Sequence, residues 1–319
     1  MSFWGITTYF NPSKYAKRFE NYMAFRKSSK AQALKLLTVE LALNGEPFVL
    51  SDTDADLLIQ VRSNSVMWHK ERLINIGIEN LPETCDKICW LDCDLIFLNN
   101  NWVKETSVLL NNFDLVQPFS SVLQTDHKLR VINESYGFGY YCKKKIPSST
   151  SFKQGQPEKD PSKHATWGFG WAAKKDIITS MGGLYDRNIV GGGDNIIKLS
   201  FGFAKIKEDT FSEEHKKDLL KFFEKNEDKQ LKRSNISCTS GSAKHLWHGD
   251  RKDRGYGERD IILKEANYDP QSHIQINNDR CFEFTASGKA LEHKIKTYFD
   301  SRKEDGHHFF EKSVSKKIL

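Results

Sequence analysis

Two aspartates one residue apart, Asp92 and Asp94, have the types and spacing best suited to chemistry in this sequence. An apolar run at 87–91 precedes them and a second one at 95–98 follows, so we expect a strand that ends at Asp92. Ligands of open α/β sheets collect beyond the carboxyl ends of strands, and Mg²⁺ or Mn²⁺ favours carboxylate and phosphate oxygens. The pattern predicts a site for a divalent ion and a diphosphate. A solvated turn is the alternative, because Asp-x-Asp is common in turns.

A second set of candidate ligands, His245 and His248, lies far along the chain. Imidazole is a good ligand for Mn²⁺ or Zn²⁺, and a nearby carboxylate pair could complete the shell. We favour His248 over His245 as the ligand, because Gly249 beside it permits close backbone approach. The basic residues that follow could bracket phosphates: they are Arg251, Arg254 and Arg259.

The run Gly191-Gly192-Gly193-Asp194 supplies a candidate catalytic acid. Gly192 and Gly193 would let the backbone approach a sugar, and Asp194 would then take the proton of an acceptor hydroxyl as general base. A helix is expected to begin directly after this run, so the alternative is that Asp194 only caps that helix.

Two tryptophans, Trp167 and Trp171, stand among glycines in a short aromatic segment. Aromatic faces bind sugar rings, and we consider a sugar-binding role beside plain core packing. The three cysteines at 85, 89 and 93 repeat every four residues, but a strand would not make their side chains converge, so buried free thiols are expected instead of a metal site.

Composition limits the classes of protein to consider. A chain of 319 residues with 38% hydrophobic residues can form one large α/β domain, or a domain with a small appendage. No run approaches the roughly 18 apolar residues of a membrane helix, and the first residues do not resemble a secretory signal, so a cytoplasmic location is expected. The net charge of +6 suits an anionic donor or a peripheral contact with an anionic membrane; the interleaved charges argue against nucleic acid.

Apolar periodicity predicts alternating strands and helices over the first 118 residues, which is typical of a parallel, helix-flanked sheet. Leu34, Leu37 and Leu41 share a helical spacing, and we expect a helix over 31–44. The other predicted elements are strands at 3–8, 47–50, 87–91 and 114–116, helices at 65–80, 102–112 and 212–233, a flexible connection at 143–163, and a helical tail after 286 that ends basic and frayed.

The order of these features resembles the GT-A superfamily of nucleotide-diphospho-sugar transferases. The features are the Ile6-Thr7-Thr8 strand, the Asp-x-Asp turn, the glycine run ending in Asp194 and the late histidine. The stretch 168–194 is similar to the segment of β-1,4-galactosyltransferase-like enzymes in which a Gly-Trp-Gly-Gly run leads into the catalytic acid. The chain departs from that pattern at Gly193, where the family usually has Glu. The segment 68–75 also resembles a helix of related bacterial and viral transferase-like proteins.

The resemblance implies an α/β fold: a GT-A-type, Rossmann-like, mixed but mostly parallel sheet flanked by helices, in a single domain with a C-terminal helical extension. Residues 1–118 would form the nucleotide-sugar-binding half, 119–265 the acceptor and catalytic half, and 266–319 the extension.

The resemblance also implies an inverting transfer of a sugar from a UDP-sugar, dependent on Mn²⁺ or Mg²⁺, to a glycan, lipid or protein hydroxyl. Asp94 would bind the metal directly, and Asp92 would contact the ribose, or the metal through water. His248 would complete the coordination, and Asp194 would be the base. The remaining donor-site candidates are Thr7 and Thr8 at the nucleotide, Lys70 and Arg72, and Arg251 and Arg254 at the diphosphate.

Two alternatives stay open. A sugar nucleotidyltransferase has a similar sheet, but it usually carries a glycine-rich basic loop after the first strand, and residues 8–18 contain no glycine. A non-catalytic protein that binds a glycan or nucleotide on a degenerate transferase scaffold is the other. Replacing Asp194 distinguishes it, because a binding protein has no turnover to lose.

Overall fold

A seven-stranded, mostly parallel sheet lies at the centre of the chain in the computed structural model, which describes residues 2–146, 165–206 and 210–306. From one edge to the other its strands are β10 (Ile236–Cys238), β6 (Leu115–Gln117), β9 (Gly170–Lys174), β4 (Cys85–Leu91), β1 (Ser2–Tyr9), β2 (Lys35–Leu43) and β3 (Leu57–Ser63). Strand β1 pairs in parallel with β2 and β4, whereas β9 runs antiparallel to β4 and β6.

A second, four-stranded sheet is built on the chain that leaves β4. Its strands are β5 (Leu95–Phe97), β11 (Ser242–His245), β7 (Ser121–Thr125) and β8 (Val131–Tyr136), in that order. β11 is antiparallel to β5, with His245 opposite Leu95. A small hairpin of β12 (Ile274–Ile276) and β13 (Phe282–Phe284) is separate. The pairing of β11 with β5 brings His245 to the end of β4, although the two are far apart in sequence.

Helices cover both faces of the large sheet. They are α1 (Ala16–Ala31), α2 (Lys70–Glu79), α3 (Trp102–Leu109), α4 (Phe138–Lys143), α5 (Lys175–Ser180), α6 (Gly193–Ser200), α7 (Glu213–Lys225), α8 (Arg259–Glu265) and α9 (Lys289–Ser301). None of the described helices is long and apolar enough to cross a membrane.

Alternate residues of β2 belong to two different apolar cores, as the period of a strand requires. Leu37 and Val39 join the core that contains the apolar side chains of α2, and Leu36 joins the core that contains Phe25 of α1. α2 packs closely on β1 at Gly77, where an added Cβ would lie 2.8 Å from Ile6. The central strands are therefore buried on both faces, which is usual for parallel sheets flanked by helices.

The predicted fold class, a mixed and mostly parallel sheet flanked by helices, is confirmed. The strands predicted at 3–8, 87–91 and 114–116 are β1, β4 and β6, and the helix predicted at 102–112 is α3. The division into parts at 118 and 265 stays a prediction.

The helix predicted over 31–44 is wrong, because residues 35–43 form strand β2. Helical spacing of three leucines misled the prediction, since almost every residue of this strand is buried and a continuous apolar run fits either element. The strand predicted at 47–50 is also wrong: that segment has no regular structure, and the edge strand is β3. The helix predicted from 65 begins only at Lys70.

The region after 118 is more regular than the sequence indicated, because β7, β8 and α4 lie in it. The flexible connection predicted over 143–163 falls almost entirely outside the described residues, and so does the basic end of the tail. The helices predicted over 212–233 and after 286 correspond to α7 and α9, both shorter than predicted.

Candidate metal centre and active site

The turn that follows β4 is held in place by two distant segments. Asp92 donates its backbone N–H to the carbonyl of Phe169, at 2.9 Å, and Leu246 donates to the carbonyl of Asp94, at 2.8 Å. These bonds attach the backbone of the turn to the residue that precedes β9 and to the residue that follows β11. The turn lies at the carboxyl end of a parallel strand, where ligands of such sheets collect.

Asp94, His245 and His248 converge at this turn. Oδ2 of Asp94 lies 3.0 Å from Nε2 of His248 and 3.6 Å from Nε2 of His245, and the two ring nitrogens are 3.2 Å apart. Among the described residues, these three form the one group of His, Cys, Asp or Glu side chains close enough to share a metal ion. The far-apart residues that the sequence suggested as ligands are thus neighbours in space.

The geometry of this group fits one bound ion. Metal–ligand bonds of about 2.0–2.2 Å place neighbouring ligand atoms roughly 3.0–3.6 Å apart, which is the observed range. The other carboxylate oxygen of Asp94, Oδ1, is buried and has no hydrogen-bond partner. An orphaned buried acceptor is costly in a folded protein, and a cation would satisfy it.

The pKa values of Asp94 and His245 are set by burial and by the charges that the two groups exert on each other. Burial disfavours the charged form of Asp94, but the charges and hydrogen bonds of His245 and His248 outweigh it and hold the pKa of Asp94 well below its usual range. Burial lowers the pKa of His245, despite the carboxylate beside it. An ionised carboxylate and a neutral imidazole are the forms that bind metals.

Glu304, which the sequence analysis missed, stands behind His248. Its carboxylate is fully buried, lies 3.6 Å from Nδ1 of His248 and is paired with Arg18 and Arg302. Burial opposes its ionisation, yet the two arginines hold the pKa of Glu304 well below its usual range. The sequence carried no local signal for this contact, because the tail that contains Glu304 was expected to fray.

Asp92 lies outside the three-residue metal group and instead pairs with Lys70, the first residue of α2. The Lys70 side chain is 15% exposed and that of Asp92 is 27% exposed. Burial opposes the charge of Lys70, but Asp92 and Asp194 together raise the pKa of Lys70 well above its usual value. Lys70 is therefore a cation between two acidic residues that the sequence placed at the donor and acceptor sites.

Asp194 lies in the first turn of α6, and Gly192, in the left-handed region at φ 87°, occupies the helix N-cap. The capping alternative for Asp194 is thus not supported by its position. Burial raises the pKa of Asp194, against the opposing charge of Lys70, and Asp92 raises it further. A Cβ on Gly168 would lie 3.0 Å from Oδ2 of Asp194, so a larger residue there would crowd the carboxylate.

A second carboxylate, that of Glu71, lies against Gly193 and was not among the predicted site residues. A Cβ added to Gly193 would overlap Oε1 of Glu71, so the glycine is required by this close approach. Trp68 donates its indole N–H to Oε2 of Glu71 at 3.1 Å. Burial raises the pKa of Glu71 to about 7. Most of its neighbours in α2 are core residues, so no signal in the sequence indicated that Glu71 lies at the site.

The basic residues after His248 differ in their surroundings. Arg251 is exposed on a short 3₁₀ helix, whereas Arg254 at its other end is buried and donates to the carbonyl of Gly249 at 3.4 Å. Arg259 is buried behind the glycine run, and a Cβ on Gly192 would lie 3.1 Å from one of its guanidinium nitrogens. Nε of Arg254 has no partner. Of these three arginines, Arg251 is the exposed one.

The remaining predicted site residues either lie near the end of β1 or pack inside the protein. Thr7 is buried, and its hydroxyl donates to the carbonyl of Leu91 at 2.8 Å, while Thr8 is half-buried at the end of β1. Trp167 and Trp171 are 7% and 1% exposed and contact each other. Their ring faces are covered by protein, so in this structure they are packing residues and offer no face to a sugar. Arg72 pairs with Asp186, away from the turn.

The six cysteines are free thiols, and all except Cys93 are buried. Burial raises the pKa of Cys93 to about 12, and the neighbouring Asp94 charge acts in the same direction. Cys93 is not part of the group formed by Asp94, His245 and His248.

No protein-family model matches the chain, and no curated protein sequence matches it. Comparison with solved structures does return matches, among them glycosyltransferases. The Staphylococcus aureus protein TarS (residues 1–349) in complex with UDP-GlcNAc matches with 12% identity and a TM-score of 0.35, over 62% of this chain and 52% of that one.

A mutant of Drosophila β1,4-galactosyltransferase 7 in complex with manganese, UDP-Gal and xylobiose matches with 11% identity and a TM-score of 0.40, over 94% of this chain and 99% of that one. The structure of 4-diphosphocytidyl-2C-methyl-D-erythritol synthase from Anaerococcus prevotii matches with 12% identity and a TM-score of 0.34, over 75% of this chain and 88% of that one. The chain spans about half the length of the first TarS structures.

Proposed function

We propose that the chain is a metal-dependent glycosyltransferase that moves a sugar from a nucleotide-sugar donor, expected to be a UDP-sugar, to a hydroxyl of a glycan, lipid or protein. The observation that carries the proposal is the convergence of Asp94, His245 and His248 beside the charged group of Lys70, Asp92 and Asp194. Metal ligands and a candidate base at one end of a parallel sheet are the parts that such a transfer needs.

Asp94, His245 and His248 would hold the divalent ion, which when bound neutralises the donor's diphosphate and stabilises it as a leaving group. Two imidazoles and one carboxylate favour Mn²⁺ over Mg²⁺, because Mg²⁺ prefers oxygen ligands alone. Three protein ligands leave coordination positions open, as a catalytic site requires. Arg251, exposed on the short 3₁₀ helix that follows the histidines, would add positive charge for the phosphates.

Asp194 is proposed as the general base that takes the proton of the acceptor hydroxyl. Its raised pKa moves the carboxylate toward the range in which a base works best near neutral pH. Lys70 has two tasks: it keeps Asp194 ionised, and its pairing with Asp92 orients the side chain of the residue that begins the metal turn. The glycines at 192 and 193 let the backbone before Asp194 pack directly against Arg259 and Glu71.

The experiment is a turnover assay of the purified chain with a panel of nucleotide-sugars and Mn²⁺, with and without EDTA. We expect release of the nucleotide from at least one donor, and we expect EDTA to abolish it. The variant Asp194→Asn should lose turnover by about 10²-fold or more and still bind the donor, because general-base catalysis contributes 10²–10⁴-fold. Asp176→Asn, at an exposed position of α5, is the matched control.

Two results would contradict the proposal. If no donor is turned over in a metal-dependent way, the chain is not a glycosyltransferase of this kind. If a donor binds with Mn²⁺ but neither the wild-type chain nor Asp194→Asn turns it over with any acceptor, the chain is a binding protein on this scaffold.

A further inference from the structure

The chain after α9 folds back as a short strap, residues 302–306, that is fixed to the start of α1. The carboxylate of Asp305 accepts hydrogen bonds from the backbone N–H groups of Ala16 and Lys17, at 2.9 and 2.8 Å. These are orphan donors of the first helical turn, which a carboxylate also stabilises through the helix dipole. The hydroxyl of Tyr15 accepts from the N–H of Lys303 at 3.1 Å. The strap is thus bound to the body of the protein at its ends.

The strap also packs directly on the segment that carries the two histidines. A Cβ on Gly249 would lie 2.9 Å from Cα of Glu304 and 2.9 Å from the carbonyl oxygen of Lys303. A Cβ on Gly306 would lie 2.9 Å from the ring of Trp247. Each of these glycines has a positive φ, and neither position has room for a side chain, so the two segments are in close contact. Glu304, the middle residue of the strap, lies next to His248 as a result of this contact.

Glu304 is the side chain that the strap presents to His248. One of its oxygens, Oε2, accepts from Nε of Arg18 at 2.6 Å and lies 3.6 Å from Nδ1 of His248. The other, Oε1, accepts from Nε of Arg302 at 2.6 Å and from Arg18 at 3.0 Å. The hydrogen bonds from Arg18 and Arg302 hold the Glu304 carboxylate in a fixed position next to the His248 imidazole.

We propose that Glu304 is a positioning residue of the metal centre, which directs Nε2 of His248 at the ion by holding Nδ1 of the same ring. This inference rests on the metal site of the proposed function. An ionised carboxylate is an acceptor only, so it favours the tautomer with the proton on Nδ1 and leaves the lone pair of Nε2 free for a metal. Nε2 is the nitrogen that lies 3.0 Å from Asp94.

Glu304 has a second effect on the same site, through charge. Arg18 and Arg302 together carry two positive charges, and Glu304 supplies the negative charge that lies between them and His248. Removing that charge while keeping the side chain's shape would leave both guanidinium groups uncompensated near a cation site. Loss of orientation and loss of charge therefore act in the same direction, and both weaken metal binding.

The test measures metal binding without nucleotide, by calorimetry with Mn²⁺ and by the visible absorption spectrum of the Co²⁺-loaded chain. We expect Glu304→Gln to weaken Mn²⁺ binding 10- to 100-fold, the usual effect of losing such a carboxylate partner, and to alter the Co²⁺ spectrum. Glu304→Asp, which keeps the charge but retracts it, should weaken binding less. Asp305→Asn is the matched control, because Asp305 anchors the same strap without contacting His248.

The outcomes are separable. Wild-type affinity and spectrum in Glu304→Gln would overturn the positioning role, and so would equal losses in Glu304→Gln and Asp305→Asn, which would make the strap a purely structural element. If Glu304→Gln does not fold, Glu304→Asp decides: weaker binding beside an unchanged Asp305→Asn supports the role, and wild-type binding overturns it. A wild-type chain that binds neither metal would instead overturn the metal site of the proposed function, and this inference with it.

Discussion

Lys70 should be the residue whose loss most disturbs the charge balance of the candidate site. It pairs with Asp92, and Asp194 contributes to its raised pKa, so the variant Lys70→Met leaves two carboxylates without their shared cation. Methionine keeps most of the side-chain volume, so the change removes mainly charge. We expect lower stability and weaker donor binding in the absence of metal.

The size of the stability loss follows from exposure. Breaking a fully buried ion pair by removing one partner costs about 3–5 kcal/mol, and a surface pair is worth about 0–1 kcal/mol. Lys70 and Asp92 lie between these limits, with side chains 15% and 27% exposed. We therefore expect about 1–3 kcal/mol. Lys17→Met is the control, because Lys17 pairs with Glu20 where the side chains are 31% and 54% exposed.

The assay is urea unfolding at neutral pH with EDTA present, for Lys70→Met, Lys17→Met, Asp92→Asn and the double variant Lys70→Met/Asp92→Asn. The double variant should be more stable than Lys70→Met alone, because it removes one of the uncompensated charges. The reasoning is refuted if Lys70→Met costs no more than Lys17→Met, or if the second substitution restores nothing.

Two further predictions concern the neighbourhood of the site and a buried histidine. Gly193→Ala should lower the free energy of unfolding by about 1–3 kcal/mol, measured with urea, and reduce turnover, because its Cβ would overlap Glu71. Gly257→Ala is the control and should be neutral, because its Cβ would meet nothing within 4 Å. Equal effects of the two substitutions would contradict the packing argument. His215 is fully buried with neither ring nitrogen partnered, and burial lowers the pKa of His215 to about 4. As the pH is lowered, His215 therefore becomes protonated in the unfolded state while it stays neutral in the folded state. When the pH is lowered from 7 to 5, the free energy of unfolding should fall by about 2 kcal/mol more in the wild type than in His215→Phe. Parallel pH dependences in urea unfolding would rule this out.

The turn after β4 could be predicted from sequence because its signal is local. Two apolar runs flank Asp92 and Asp94, and the strand that ends there is β4, as expected. The histidines were found by residue type alone, and the antiparallel pairing of β11 with β5 explains why they reach Asp94. That pairing joins segments far apart in sequence, and no local pattern encodes it.

The errors have physical causes as well. The strand β2 was predicted as a helix because a strand buried on both faces loses the alternation that identifies strands. Helix α1 was not predicted, because polar residues surround its few apolar ones and much of its stability comes from contacts that the sequence does not display, including those with the strap.

Glu71 and Glu304 show the same limit at the site itself. Each is a charged residue in a segment whose local pattern indicated something else, a core helix for Glu71 and a frayed tail for Glu304. Their importance comes from long-range contacts, with Gly193 in one case and His248 in the other. Such contacts become visible only once the chain is folded.

The most direct test of the account is a crystal of the chain soaked with Mn²⁺ and UDP, measured for anomalous scattering. We predict an anomalous peak about 2.0–2.3 Å from Oδ2 of Asp94 and from the Nε2 atoms of His245 and His248, with the diphosphate of UDP on its open side. Manganese bound elsewhere, or UDP bound with no peak between these three side chains, would contradict the central claim.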